Sequence, residues 1–197
     1  MIYYIKRGSM RRKNGFTLLE VLVVAIILAV LVSIGLVEYR KAVERTRAAE
    51  AISLLRSLYH AEKMYQISHG HFAGSLAALS LSFQGERVKC VQNNKSPCWG
   101  YYNTEAIKGK MWSIELENGK NPSIAVGLID GPFAGAGFFV QLERADGIQF
   151  PLEKVACVEN AKGKFKYKKK EGSYCVNIMD GTFYSRSSVS RKYEIPL

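Results

Sequence analysis

Glu20 is the residue whose chemistry stands out. From Phe16 to Val37 there are 22 residues, and this carboxylate is their one charge. A carboxylate near the end of an apolar span reaches the interface at modest cost, but enclosed by apolar side chains it needs a positive partner. Cys90, Cys98, Cys157 and Cys175 form a second set, all placed after the apolar run. Four cysteines in a small domain favour an oxidising compartment and allow three pairings, among which sequence alone does not choose. The local pairs Cys90 with Cys98 and Cys157 with Cys175 are favoured here, because each encloses a polar or Lys/Gly-rich segment with few apolar side chains to fix it. No C-x-x-C occurs and no histidine stands beside a cysteine pair, so zinc and a catalytic thiol are the poorer readings.

The third set is Lys162, Lys164, Lys166, Lys168, Lys169 and Lys170. Alternation puts Lys162, Lys164, Lys166 and Lys168 on one face and Phe165 and Tyr167 on the other, the pattern of a half-buried edge strand guarded by lysines. The competing reading is a surface that binds DNA or another acidic partner. His69 and His71 flank Gly70 and read as exposed loop residues. The Asp-Gly pairs at 130, 146 and 180 read as turns, and Ile129 to Gly137 as a loop between strands rather than a phosphate loop, since it lacks the Gly-Lys-Ser/Thr ending. No metal or cofactor is expected. Neither a nucleophile elbow, an H-E-x-x-H helix nor paired carboxylates occur, so an enzyme is not expected either.

The elements that position these residues begin with one helix. The apolar run is long enough to cross a bilayer core, and Glu38 to Ser68 continues it without Pro or Gly, rich in Ala, Leu, Glu, Lys and Arg. The first half is apolar all round; the second is amphipathic, with Ile52, Leu55, Leu58, Tyr59 and Tyr65 at helical spacing. Gly70 supplies the stop. Residues 71–110 read as an irregular connector pinned by Cys90 and Cys98. Strands are expected at Trp112 to Leu116, after the Asn118-Gly119 turn at Ser123 to Ile129, and at Gly137 to Leu142. A hairpin follows, from Tyr174–Met179 through Asp180-Gly181 to Thr182–Ser185. The simplest assembly is α+β, an antiparallel sheet packed on the amphipathic half-helix.

Charge and length are consistent with this plan. The formal charge is +11, and loss of residues 1–15, which carry five basic residues and no acid, would leave +6, a mildly basic surface. Met10 is a candidate start that would leave a shorter basic leader. An ordinary secretory signal would be cut near Ser33-Ile34-Gly35; the length of the run and the acid in its leading edge argue against it. Lys and Arg are balanced across the span, so orientation rests on the cysteines, which put the C-terminal part outside the cytoplasm.

Arg11-Arg12-Lys13-Asn14-Gly15 followed by Phe16-Thr17-Leu18-Leu19-Glu20 resembles the type IV pilin and type II secretion pseudopilin family. The resemblance extends to about Phe72 and is architectural beyond. It implies a leader of residues 1–15 cut after Gly15 by a prepilin peptidase, with N-methylation of Phe16. It further implies a membrane or filament-core helix over 16–37, its amphipathic continuation over 38–69 and a head over 70–197. In the family, a Pro commonly stands where this chain has Val37 and a Gly where it has Ala29, so Gly35 is the candidate weak point of the helix.

The function implied is a structural subunit, held in the bacterial inner membrane as a precursor and packed by an inner-membrane assembly machinery into an extracellular homo-oligomeric filament. There Glu20 would meet the amino group of Phe16 on a neighbouring copy. A disulfide loop near the C-terminus is a habit of type IV pilins rather than of major pseudopilins, so Cys157 and Cys175 favour the pilus branch. A type II secretion pseudopilin is the alternative, as is a minor pilin whose lysines capture DNA or a surface.

Overall fold

The computed structural model describes residues 17–90, 98–99, 105–117, 122–143, 152–160, 166–186 and 190–196. The described residues fall into two compact units, one ending at Ala42 and the other spanning Val43–Leu197. Helix α1, Leu18–His69, runs unbroken through Gly35, whose missing Cβ would meet nothing within 4 Å. Thr17 caps its start, its Oγ1 accepting the Glu20 N–H at 3.2 Å, and Thr17-Leu18-Leu19-Glu20 has the spacing of a capping box. At the other end Gly70 takes φ +77° and its N–H reaches the Gln66 carbonyl at 2.8 Å, the C-cap expected of a glycine there.

Among the described residues, eight antiparallel strands form one sheet. They are β1 (Glu86–Lys89), β2 (Glu105–Lys108), β3 (Trp112–Glu117), β4 (Ser123–Leu128), β5 (Ala136–Gln141), β6 (Val155–Asn160), β7 (Thr182–Arg186) and β8 (Ser190–Glu194), in the order β1-β2-β3-β4-β5-β6-β8-β7. Pairing aligns Ile107, Ile114, Val126, Phe138, Cys157 and Tyr193 in a row across six strands. That row belongs to the main core, together with Ala48, Ala51, Ile52, Leu55 and Leu58 of α1. Period 2 in the strands thus meets period 3.6 in the helix across one apolar layer.

The opposite face is also covered. Ala125, Phe139, Ala156 and Val158 form a second core with Trp99. Gly127 and Gly137 pair across β4 and β5, and the indole lies on them: a Cβ at Gly127 would come within 1.9 Å of Trp99 Cγ. The Trp99 N–H donates to the Glu115 carboxylate, and its carbonyl accepts from Asn160 Nδ2 at 2.5 Å. Cys98, disulfide-bonded to Cys90, directly precedes it.

Three expectations need correction. Residues 71–110 are not merely irregular, since β1 and β2 lie within them. Tyr174–Met179 is a run of turns, and β7 pairs with β8 instead. Lys166–Lys170 is irregular rather than an edge strand; Lys162, Lys164 and Phe165 lie outside the described residues, as do the Asn118-Gly119 turn and the Asp-Gly pair at 146. The physical reason for the second of these corrections is Glu159, described next.

Candidate functional site

Every large apolar side chain from Leu18 to Val37 is exposed, fifteen in all, with Val23 least so at 44%. Burying such side chains is worth about 1.5–3 kcal/mol each, so even half-burial of this set is worth on the order of 20 kcal/mol. That exceeds the net stability of an ordinary domain. Among the described residues this is the helix long and apolar enough to cross a membrane. Glu20 sits in its first turn, exposed, with no ion-pair partner among the described residues. Gly15 and Phe16 lie outside them.

The second unit carries the disulfide-closed segments. Cys90–Cys98 and Cys157–Cys175 are the pairs formed. Cys157 lies on β6, and two residues on, on the same face, Glu159 is fully buried. Its carboxylate accepts the N–H groups of Gly172 at 2.8 Å, Tyr174 at 3.1 Å and Cys175 at 3.2 Å, and the Tyr193 hydroxyl at 3.3 Å. Three main-chain donors that a strand would have given to a neighbour are given to one side chain. The run 171–179 therefore coils into turns over β6. Period-2 parity with Val155 and Cys157 marks Glu159 as inward-facing in the sequence; nothing there says what it faces.

Lys166, Lys168, Lys169 and Lys170 stand exposed on this loop. Tyr167 between them is buried, its N–H on the Asn160 carbonyl at 2.8 Å and its hydroxyl on Ser173. The loop is also tied to the helix: Arg45 donates to the Ile178 carbonyl at 2.7 Å and to Asp180.

Other buried charge sits around these features. Glu62 is fully buried, with Oε2 accepting the Ala73 N–H at 2.9 Å and Oε1 without a partner among the described residues. Burial raises its pKa above the usual carboxylate value, and the Ala73 N–H pulls it partly back. On the Trp99 face, burial lowers the Lys192 ammonium and the Glu117 carboxylate offsets part of that; its Nζ lies 4.5 Å from the Phe139 ring centre. A cavity of about 390 Å³ lies between α1 and the sheet, lined among others by Leu55 and Tyr59 of the amphipathic stripe and by Arg56 and Glu153; Glu20, the cysteines and the lysines of residues 166–170 do not line it. Among the described residues, no group of three or more His, Cys, Asp or Glu is placed to hold a metal ion.

Comparison with known proteins bears on the first of these features. Residues 10–36 match the prokaryotic N-terminal methylation motif. A fimbrial protein of Neisseria meningitidis serogroup B (strain ATCC BAA-335 / MC58) is 31% identical over 84 residues, 41% of this chain and 49% of that protein. The match thus spans about half the length of this curated relative. No solved structure gives a significant match. With the motif leading into an exposed apolar helix, and that helix continuing onto an antiparallel sheet, the chain carries the methylation motif of prokaryotic prepilins and resembles the type IV pilin and pseudopilin family.

Proposed function

We propose that the chain is a structural subunit of a type IV pilus-like filament. It is made as a membrane-held precursor with its head outside the cytoplasm, cut after Gly15 by a prepilin peptidase and methylated on Phe16. Residues 16–37 then serve first as the membrane span and next as filament core, 38–69 as the amphipathic half of the same helix and 70–197 as the head. The observation that carries this reading is the exposed apolar run of α1, most of it inside the matched motif. Such a surface requires either lipid or its own copies around it.

Glu20 has a defined part in this scheme. In the bilayer it lies near the end of the span; packed among copies it is enclosed, and the amino group freed at Phe16 is the cation best placed on a neighbour. Glu20→Gln keeps the shape and loses the charge, so cleavage and insertion should be normal while filaments fail to form. Gly15→Leu should block cleavage itself. N-terminal mass analysis should find Phe16 first with one added methyl group. A mature start at Leu36, or wild-type filament counts in Glu20→Gln, would overturn the scheme. The Cys157–Cys175 loop supports the pilus branch over the secretion pseudopilins.

A second reading rests on the lysine loop. Lys166, Lys168, Lys169 and Lys170 are exposed and without ion pairs among the described residues, on a loop held by a disulfide and by Glu159. A minor subunit could hold duplex DNA there. Replacing the four by Gln should then reduce the salt slope of DNA binding by about 0.9 per lost phosphate contact. An unchanged slope and affinity would leave the lysines as solubilising charge; Lys162 and Lys164 belong to the same test.

A further inference from the structure

We propose that His69 and His71 form a two-imidazole binding site for a transition-metal ion of the Cu(II) class, on the turn that ends α1. The helix stops at His69, and Gly70 at φ +77° turns the backbone so that the two rings come to 6.2 Å between centres. Tyr65, one helical turn earlier, organises both: it stacks on His69 at 4.0 Å, with the planes 11° apart, and meets His71 edge-on at 5.7 Å. Both imidazoles are exposed.

Hydrogen bonding fixes which nitrogen is available. His71 Nδ1 lies 2.9 Å from the Phe72 carbonyl, and His69 Nδ1 lies 3.2 Å from the Tyr65 carbonyl and 2.8 Å from the Ser68 hydroxyl. A carbonyl only accepts, so in His71 Nδ1 carries the hydrogen; in His69 the same tautomer follows with the Ser68 hydroxyl donating to the Met64 or Tyr65 carbonyl, each 3.0 Å away, and accepting from Nδ1. The neutral ring then has its lone pair on Nε2. Anchoring Nδ1–H on a carbonyl is what orients histidines that ligate metals through the other nitrogen. An ion about 2.0 Å from each Nε2 would hold the ring centres roughly 4.4 Å apart for ligands at a right angle and roughly 6 Å apart for opposed ligands, so the 6.2 Å present matches the opposed arrangement.

The donor set selects the class of ion. Two neutral nitrogens with no carboxylate or carbonyl cage do not suit calcium or magnesium, which take oxygen ligands. Structural zinc takes four protein ligands, more than this turn offers. Cu(II) stands at the top of the first-row affinity order, suits imidazole and leaves its other positions to water or to a donor from outside.

The test is titration of Cu(II), in competition with glycine, into the full chain in detergent micelles, without a polyhistidine tag, followed by calorimetry and pulsed EPR. One equivalent should bind with two imidazoles on the ion, each seen through its remote Nδ1. His69→Ala and His71→Ala should each weaken binding at least tenfold and leave one imidazole in the spectrum. His60→Ala, which removes the remaining histidine of the chain, should change neither. Gly70→Ala keeps both rings but strains the turn, and should weaken binding as well. Wild-type affinity in either His69→Ala or His71→Ala, a single imidazole in the wild-type spectrum, or dependence on His60 would overturn the site. Unchanged affinity in Gly70→Ala would overturn its preorganisation by the turn.

Discussion

Replacing Glu159 by Gln tests how the C-terminal disulfide loop is held. The two carboxylate oxygens divide four donors: Oε1 takes the Tyr174 and Cys175 N–H groups, and Oε2 takes the Gly172 N–H and the Tyr193 hydroxyl. A Gln amide has one oxygen, so either orientation turns an NH2 toward main-chain N–H groups. With the NH2 at the Oε2 position, Tyr193 can rotate its hydrogen and accept, but Gly172 loses its acceptor. The other orientation orphans two N–H groups. Hydrogen bonds to a charged group contribute about 1.5–3 kcal/mol each, and an orphaned buried donor costs about 1–3 kcal/mol. The smaller loss, one orphaned N–H and weaker bonds to the rest, comes to roughly 3 kcal/mol. The Cys157–Cys175 bond stays closed, so the loss should appear as local opening. Amide hydrogen exchange of the full chain in detergent reads it directly, and protection of Gly172, Tyr174 and Cys175 should fall roughly a hundredfold, since 1.4 kcal/mol is about tenfold. Unaltered exchange at those amides, with unchanged unfolding, would refute the role assigned to Glu159.

Three further outcomes follow from the same packing. Gly127→Ala places a methyl group inside the Trp99 indole; displacing the ring should cost about 1–3 kcal/mol and red-shift the tryptophan emission. Glu62 has its native pKa raised by burial, so the stability tied to its neutral form is complete below the ordinary carboxylate range and is lost as pH rises through the native value. Glu62→Gln should therefore raise Tm at pH 8 relative to wild type, with the difference shrinking toward pH 4; a gap independent of pH would contradict this. Cys157→Ser with Cys175→Ser removes a bond closing a sequence separation of 18 and should lower stability by about 3 kcal/mol in the chain-entropy model, measurable as a shift in urea midpoint.

Much of this protein is decided locally, and that part is legible in the sequence. A motif such as Gly15-Phe16-Thr17-Leu18-Leu19-Glu20 is six consecutive residues, and the absence of Pro and Gly from Glu38 to Ser68 fixes the helix whatever packs on it. Trp112–Leu116, Ser123–Ile129 and Gly137–Leu142 announce β3, β4 and β5 because each alternates or runs apolar between turn residues. Tertiary structure decides the rest. The strands β1 and β2 are four residues each, too short to carry a period, and exist because β3 offers an edge to β2 and β2 in turn offers one to β1. Tyr174–Met179 has strand-like residues, but the Tyr174 and Cys175 N–H groups go to Glu159, a residue 15 positions before Tyr174, and those of 176–179 go to the carbonyls of Gly172 and Tyr174. Trp99 covers the second face because two glycines on neighbouring strands leave room for an indole, a coincidence of register that appears only when β4 and β5 pair. Local propensity set the helix and the central strands; long-range hydrogen bonds and the space between elements set where the turns, the lysines and the second core came to lie.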